Sequence, residues 1–272
     1  MLLRPILLLI LIAASAAASF AQTGSETSNI RKVPLSDSEI QRIIKRFSEN
    51  EKLFRAALSN YVFNRYATIN TIGLGGQITG TFRRDSFMTF SQDGSRFERI
   101  IYAPVPTVPP GFVTVEDLED LGGVNPFAIE PSAIPQYNFT YIGKEKIDEL
   151  DLFVFDVTPK VIPDPKKSTQ RLFIGRIWVD DKDLMIVKSK GKAVPETKNN
   201  KFPVVETWRE NVDGKYWFPS FATSDDELVF DNGSVTKIRM RIRYTDYKLG
   251  RTDVIIGEAE DRTEQNSTPK KP

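Results

Sequence analysis

The sequence predicts an α+β domain in which one leading amphipathic helix packs on a curved antiparallel β-sheet, built as a meander with short helices in the loops. Two observations predict it. Apolar residues recur about every 3.6 residues between Ile40 and Leu58, and the period changes to about 2 after Asn60. Short turn sequences such as Asp213-Gly214 separate many of the later apolar segments, which favours hairpins between consecutive strands.

The helix has a clear start. Ser36-Asp37-Ser38-Glu39 matches a capping box, in which the serine hydroxyl accepts from a free amide and the glutamate reaches back to the cap. We expect the helix to end near Asn60. After it, eleven runs rich in β-branched and aromatic residues predict a sheet of about ten strands: Tyr61–Thr71, Gln77–Phe90, Arg96–Tyr102, Tyr137–Gly143, Leu152–Thr158, Arg171–Asp180, Leu184–Lys190, Val204–Asn211, Tyr216–Ala222, Glu227–Asp231 and Ser234–Lys248.

The chain divides into four parts. Residues 1–21 have the pattern of a secretory signal peptide: Arg4, then the apolar run Ile6 to Ala14, then a small-x-small site that predicts cleavage near Ala21-Gln22. That run is shorter than the ~20 residues of a membrane span, so we expect an exported protein without a stable transmembrane segment. Residues 22–34 are predicted to be a flexible linker, 35–258 a single domain, and 259–272 a disordered charged tail.

The composition excludes several classes of function. The chain has 37 Lys and Arg against 36 Asp and Glu, which gives no general attraction to nucleic acid or an anionic membrane. The sequence contains no histidine and no cysteine. This excludes Ser-His-Asp triads, imidazole metal sites and thiol chemistry, and we predict neither a metal nor a cofactor.

The remaining chemical motifs have simpler interpretations. Ser189 and Lys192 fit an S-x-x-K pattern, as do Ser234 and Lys237. That pattern brings the two side chains together on a helix, whereas residues three apart on a strand point to opposite faces, so we interpret both matches as chance. Asp180–Asp183 is interpreted as a hairpin turn, not a cation site.

Aromatic residues on the predicted strands suggest a large apolar interior, formed either as ordinary core or as the wall of a ligand cavity. Two sets each share one strand face. We predict these as ligand-lining candidates: Tyr137, Phe139, Tyr141, Phe153, Phe155 and Val157.

Five segments carry a resemblance to a known family. Four of them resemble the middle strands of bacterial outer-membrane lipoprotein-sorting proteins: Tyr137–Glu145, Val154–Pro159, Arg176–Asp180 and Leu184–Lys188. The fifth, Gly214–Pro219, is similar to a later strand of those proteins. With the leading helix and the meander, the chain resembles the LolA/LolB-like superfamily over about residues 36–250. The resemblance implies a periplasmic half-barrel whose concave side is covered by helices and whose apolar cavity holds acyl chains.

From these features we expect a monomeric, non-enzymatic protein that binds or carries a lipid or a lipoprotein acyl chain, with an envelope protein as a further partner. The Pro-rich segment Ala103–Gly111, with a short helix predicted over Thr114–Leu121, is the expected cover of the cavity. Two alternatives stay open: an envelope interaction or sensor module with a filled core, and an exported carbohydrate-active enzyme with a carboxylate pair.

The stretch Thr236–Tyr244 places four basic residues at alternate positions. If Asp231-Asn232-Gly233 forms a hairpin loop, Glu227 lies opposite Lys237 and Asp225 opposite Arg239. We therefore interpret the basic face as solvated and the apolar face, which begins at Ile238, as inward, and we expect this strand at a sheet edge.

Overall fold

The computed structural model describes residues 29–110, 112–114, 117, 128–198 and 200–250. It contains one α-helix, α1 (Asp37–Leu58), a short 3-10 turn (Ile134–Gln136) and ten strands. The strands are β1 (Tyr61–Ile72), β2 (Ile78–Phe90), β3 (Arg96–Tyr102), β4 (Tyr137–Ile147), β5 (Leu150–Pro159), β6 (Leu172–Asp180), β7 (Ile186–Val194), β8 (Val205–Val212), β9 (Tyr216–Val229) and β10 (Val235–Leu249). The predicted signal peptide and charged tail lie outside the described residues.

The helix begins at the predicted capping box. The Glu39 N–H donates to the Ser36 hydroxyl oxygen at 3.3 Å, and the Ser36 N–H donates to the Glu39 carboxylate at 3.1 Å. The hydrogen bonds from Ser36 hold the pKa of the Glu39 carboxyl below its usual value. The apolar stripe of the helix, from Ile43 to Leu58, is buried.

All strand pairs are antiparallel, in the order β3-β2-β1-β10-β9-β8-β7-β6-β5-β4. The sheet therefore consists of two meanders, β1–β3 and β4–β10, joined through the pairing of β1 with β10. In the described residues, β3 and β4 are the two edges and do not pair with each other, so the sheet is curved and open. This confirms the predicted α+β open half-barrel.

Two strand predictions are corrected by the structure. The runs Tyr216–Ala222 and Glu227–Asp231 belong to one strand, β9, because the polar residues between them continue its alternation: Ser224 is buried and Asp225 is exposed. The expectation that β10 is a sheet edge is wrong, since β10 pairs with both β1 and β9. The pairing of β10 with β1 joins segments that are far apart in the chain, so the sequence around β10 does not predict it.

Cross-strand pairs neutralise half of the basic face of β10, in the predicted register. Lys237 lies opposite Glu227, and Arg239 lies opposite Asp225. The Asp225 carboxylate accepts from Arg239 at 2.7 Å and from Arg241 at 2.5 Å. Although partial burial raises the pKa of the Asp225 carboxyl, these two bonds outweigh it and hold the pKa below its usual value.

The helix packs on the other face of the sheet, which we call the inner face. One core cluster joins Ile43, Ile44 and Phe47 of α1 to inward side chains of β4–β7. A second joins Phe54 and Leu58 to β1 and β9. Among the residues that the structure describes, no helix combines the length and the apolar character of a membrane span.

A buried ion pair joins the helix to the centre of the sheet. Arg209 of β8 donates to both carboxylate oxygens of Glu51 at 2.5 and 3.0 Å, and its guanidinium lies 4.2 Å from the centre of the Phe54 ring. Arg209 also donates to the Ile186 carbonyl. Both charges are thus paired and hydrogen-bonded, as burial requires.

Candidate functional site

A cavity of about 250 Å³ lies on the inner face of the sheet. Its floor is formed by the central strands, and Leu58 at the end of α1 closes one side. The wall is mostly apolar; six of the side chains that form it are Phe63, Ile69, Ala222, Ile238, Met240 and Ile242. An elongated apolar hollow of this kind suits an apolar ligand.

The alternation of basic and apolar side chains along β10 explains why the floor of the cavity is apolar. Basic residues at odd positions face outward, so Ile238, Met240, Ile242 and Tyr244 face the cavity. The distance from Ile238 to Tyr244 along an extended strand is about 20 Å, at ~3.3 Å per residue. The cavity therefore follows a long stretch of one strand.

Two tyrosines bound one end of the cavity. The Tyr247 hydroxyl donates to the Pro219 carbonyl at 2.6 Å, which fixes that ring across the end of the floor. Burial raises the pKa of Tyr247 well above its usual value and also raises the pKa of Tyr244. Both phenols are therefore neutral at ordinary pH, and both residues border an otherwise apolar space.

The other end carries charged residues, each with a partner. Lys192 donates to Glu196 at 3.0 Å, and Lys201 donates to Asp231 at 2.7 Å. Phe202, beside these lysines, completes the wall. This end is polar at its rim and apolar beneath it, as expected of an entrance.

Three described residues between β3 and β4 line the cavity: Phe112 and Val113, which directly follow the Pro-rich segment, and Asp117. The Pro-rich segment itself lies along β2: the Thr107 N–H donates to the Thr81 carbonyl, and the Thr81 N–H donates to the Thr107 hydroxyl, both at 2.9 Å.

The start of the predicted cover helix is described, and the rest is not. Thr114 donates to the Asp117 carboxylate through its N–H at 2.9 Å, and the Asp117 N–H donates back to the Thr114 hydroxyl at 3.2 Å. This reciprocal pair is a capping arrangement. Most of the predicted helix, Thr114–Leu121, lies outside the described residues.

The six lining residues predicted from sequence lie on β4 and β5, and their strands meet α1. Phe47 of the helix contacts Phe139 and Phe155, with ring centres 5.7 and 6.1 Å apart. The Tyr137 hydroxyl accepts from the Phe173 N–H at 3.0 Å. Of the described residues that line the cavity, none belongs to the predicted six: Tyr137, Phe139, Tyr141, Phe153, Phe155 and Val157. Their contact with a ligand stays a prediction.

The sequence predicts that side chains such as those of β10 face inward, but it does not predict that they border a cavity. The inward side of β10 follows from its alternation with the basic residues, and the structure confirms it, since Ile238, Met240 and Ile242 are buried. One signal in the sequence is small size at inward positions, since Ala222 and Gly191 both border the cavity.

The groups needed for hydrolysis are not assembled in the described part of the chain. Ser189 and Lys192 both border the cavity, but they lie three residues apart on β7, a spacing that points their side chains to opposite faces, and the lysine is engaged by Glu196 at 3.0 Å. Asp117 is the one described acidic residue in the wall, whereas glycoside hydrolysis needs two facing carboxylates. Among these same residues, no three acidic groups lie close enough to hold a metal ion.

No family model matches the sequence, and no curated protein is significantly similar to it. Among solved structures, the chain is similar to a DUF1329 family protein from Desulfovibrio piger, with 14% identity, a TM-score of 0.36, and coverage of 79% of this chain and 95% of that one. It is similar to a putative outer membrane lipoprotein-sorting protein domain from Vibrio parahaemolyticus, with 13% identity, the same TM-score and the same coverage.

A third similar structure is a LolA superfamily protein from Nitrosomonas europaea, with 15% identity, a TM-score of 0.30, and coverage of 77% of this chain and 92% of that one. The LolA superfamily, which the sequence resembles, is thus named among these similar structures. With TM-scores below 0.5 these likenesses carry no weight for function, which has to be inferred from the cavity.

Proposed function

We propose that this protein binds, without chemical reaction, the apolar chain of a lipid or of a lipoprotein acyl group, and carries it in the periplasm. One observation supports this most: an elongated cavity with an apolar wall on the inner face of an open sheet, bordered by residues between β3 and β4. Such a site needs a dry surface and an entrance, and it needs no reactive side chain.

The size of the cavity favours one slender chain. Its 250 Å³ lies near the lower limit of ordinary ligand pockets, ~300–1,000 Å³, so several chains side by side do not fit. A bound chain makes dispersion contacts with the wall of this space.

A second candidate is an envelope interaction or sensor module. It is supported by the other half of the inner face, where Phe47 of the helix is wedged against Phe139 and Phe155 in a closely packed cluster. The interior is therefore filled over β4 and β5, whereas residues of β6–β10 and β1 border the cavity. Ligand binding separates the two candidates.

The test is native mass spectrometry of the full chain purified gently from the cells that produce it, followed by displacement of a fluorescent fatty acid. We expect a copurifying mass of one lipid chain and a saturable displacement curve. A preparation that carries no lipid and does not bind the probe would refute the binding function and leave the interaction module.

A further inference from the structure

An arginine is buried on the inner face of β1. Arg65 is 1% exposed, and its Nη2 donates to the Glu98 carboxylate. Arg84 of β2 uses the same carboxylate, with bonds of 2.9 and 2.8 Å, and the Ser86 hydroxyl donates to it at 2.6 Å. One carboxylate therefore serves two guanidinium groups.

This cluster has an unused positive charge. Arg65 and Arg84 carry two positive charges against one negative charge on Glu98, and among the described residues no other carboxylate bonds to either arginine. The Arg65 Nε is buried and has no hydrogen-bond partner in the described part of the chain. Burial lowers the pKa of Arg65, and the neighbouring Glu98 carboxylate acts in the opposite direction. A buried N–H of a charged group is costly to leave unpaired.

Arg65 is a neighbour of residues that line the cavity, although it does not itself border the space. Arg65 stands on β1 between Phe63 and Ile69, which both line the cavity, and all three share one face of the strand. Directly opposite Arg65 on β10 is Tyr244, which lines the same end. Residues opposite each other on one face have Cβ atoms about 5 Å apart. In the structure, the Tyr244 hydroxyl makes no hydrogen bond with any described residue. The positive charge of Arg65 acts to lower the pKa of Tyr244, against the larger effect of burial.

We propose that Arg65 and Tyr244 form the head-group site of the cavity, and that the ligand is a single-chain amphiphile with a free carboxylate, such as a fatty acid. This rests on the proposed function. The carboxylate accepts hydrogen bonds from the Arg65 guanidinium and the Tyr244 hydroxyl, and the chain lies over Ile242, Met240 and Ile238 toward the entrance.

The chemistry of the site selects the acid over neutral lipids. A carboxylate neutralises the excess charge and accepts charge-assisted hydrogen bonds, which are about twice as strong as neutral ones. An alcohol or an ester leaves the charge uncompensated. An alkylammonium ion places a second positive charge beside Arg65 and is repelled.

The test compares the affinities of palmitate, hexadecanol, methyl palmitate and hexadecyl phosphate, measured by displacement of one neutral fluorescent probe from the full chain. We expect palmitate to bind at least about tenfold more tightly than the alcohol and the ester, the effect of one charge-assisted contact. Tyr244→Phe should reduce that preference by about threefold, and Arg65→Gln should abolish it.

The variants distinguish the possible results. Arg243→Gln on the opposite face of β10 is the matched control and should keep the full preference. Equal affinities for acid, alcohol and ester in the unmodified protein would overturn the head-group site while leaving the binding function intact, whereas no binding of any ligand would overturn both. Tighter binding of hexadecyl phosphate than of palmitate would refute the carboxylate. If Arg65→Gln does not fold, the isosteric Tyr244→Phe still decides the outcome.

Discussion

Filling the cavity from its own wall should raise stability and weaken binding at the same time. Ala222 is 4% exposed and borders the cavity, so the side chain of Ala222→Leu has empty space to enter. Each added carbon buries apolar surface worth ~0.8 kcal/mol, which gives about 2 kcal/mol in total. For a chain of this size that raises the melting temperature by about 4–8 °C.

The same side chain removes space that the ligand needs. Displacing a few carbons of a bound chain costs more than the ~1.4 kcal/mol of a tenfold change, so probe affinity should fall by at least about tenfold. The assays are chemical denaturation of the ligand-free protein and displacement of a fluorescent fatty acid. Ala56→Leu, at an exposed position of α1, is the matched control and should leave binding unchanged.

The opposite result has a clear meaning. In a filled core the added carbons have no space, and overpacking costs ~1–3 kcal/mol. A loss of stability in Ala222→Leu would therefore show that the interior is closed and would refute the cavity as a binding site. A gain in stability with unchanged affinity would place the ligand elsewhere.

Three further predictions follow from particular contacts. Glu51→Ala should cost ~3–5 kcal/mol of unfolding free energy in urea titrations, because it leaves Arg209 buried and unpaired. The double change Glu51→Leu with Arg209→Met should recover most of that loss; an equally unstable double variant would contradict this. Burial, with a hydrogen bond to a carboxylate, raises the pKa of Tyr61 from 10.0 to about 12. The stability that Tyr61 contributes is therefore complete below pH 10 and is lost as the pH rises from 10 toward 12. The free energy of unfolding should fall less steeply with alkaline pH in Tyr61→Phe than in the unmodified protein. An unchanged slope would assign the alkaline loss of stability to other tyrosines. Arg241→Glu with Arg243→Glu, on the outer face, should leave lipid binding unchanged in the displacement assay, and a large loss would make that face functional.

The local features of the fold were predictable because short-range physics decides them. The capping box at Ser36 is a contact between residues three apart, and it forms as the sequence predicts. The register of β9 against β10 followed from a hairpin loop and from matching apolar faces, which places Lys237 opposite Glu227. A slip of one residue would turn every apolar side chain of β10 to the outside, so the alternation alone selects the pairing.

The position of the open part of the interior was not predictable in the same way. Phe155 on β5 and Ile242 on β10 both point inward from apolar strands, and nothing in their own sequence separates them. The first packs against Phe47 of α1, and the second borders the cavity. The difference depends on where one helix lies over a ten-stranded sheet.

The sequence by itself determined the helix, the strands and the face of each strand that turns inward, since these depend on the spacing of neighbouring residues. Only the tertiary structure decided that β10 lies between β1 and β9 and that Arg65 therefore stands opposite Tyr244. Those two residues are far apart in the chain, and their proximity follows from long-range strand pairing. The physical reason is that the periodicity of a strand sets the direction of each of its side chains. Where a cavity or a buried charge lies depends instead on which inward-facing residues of different elements come into contact.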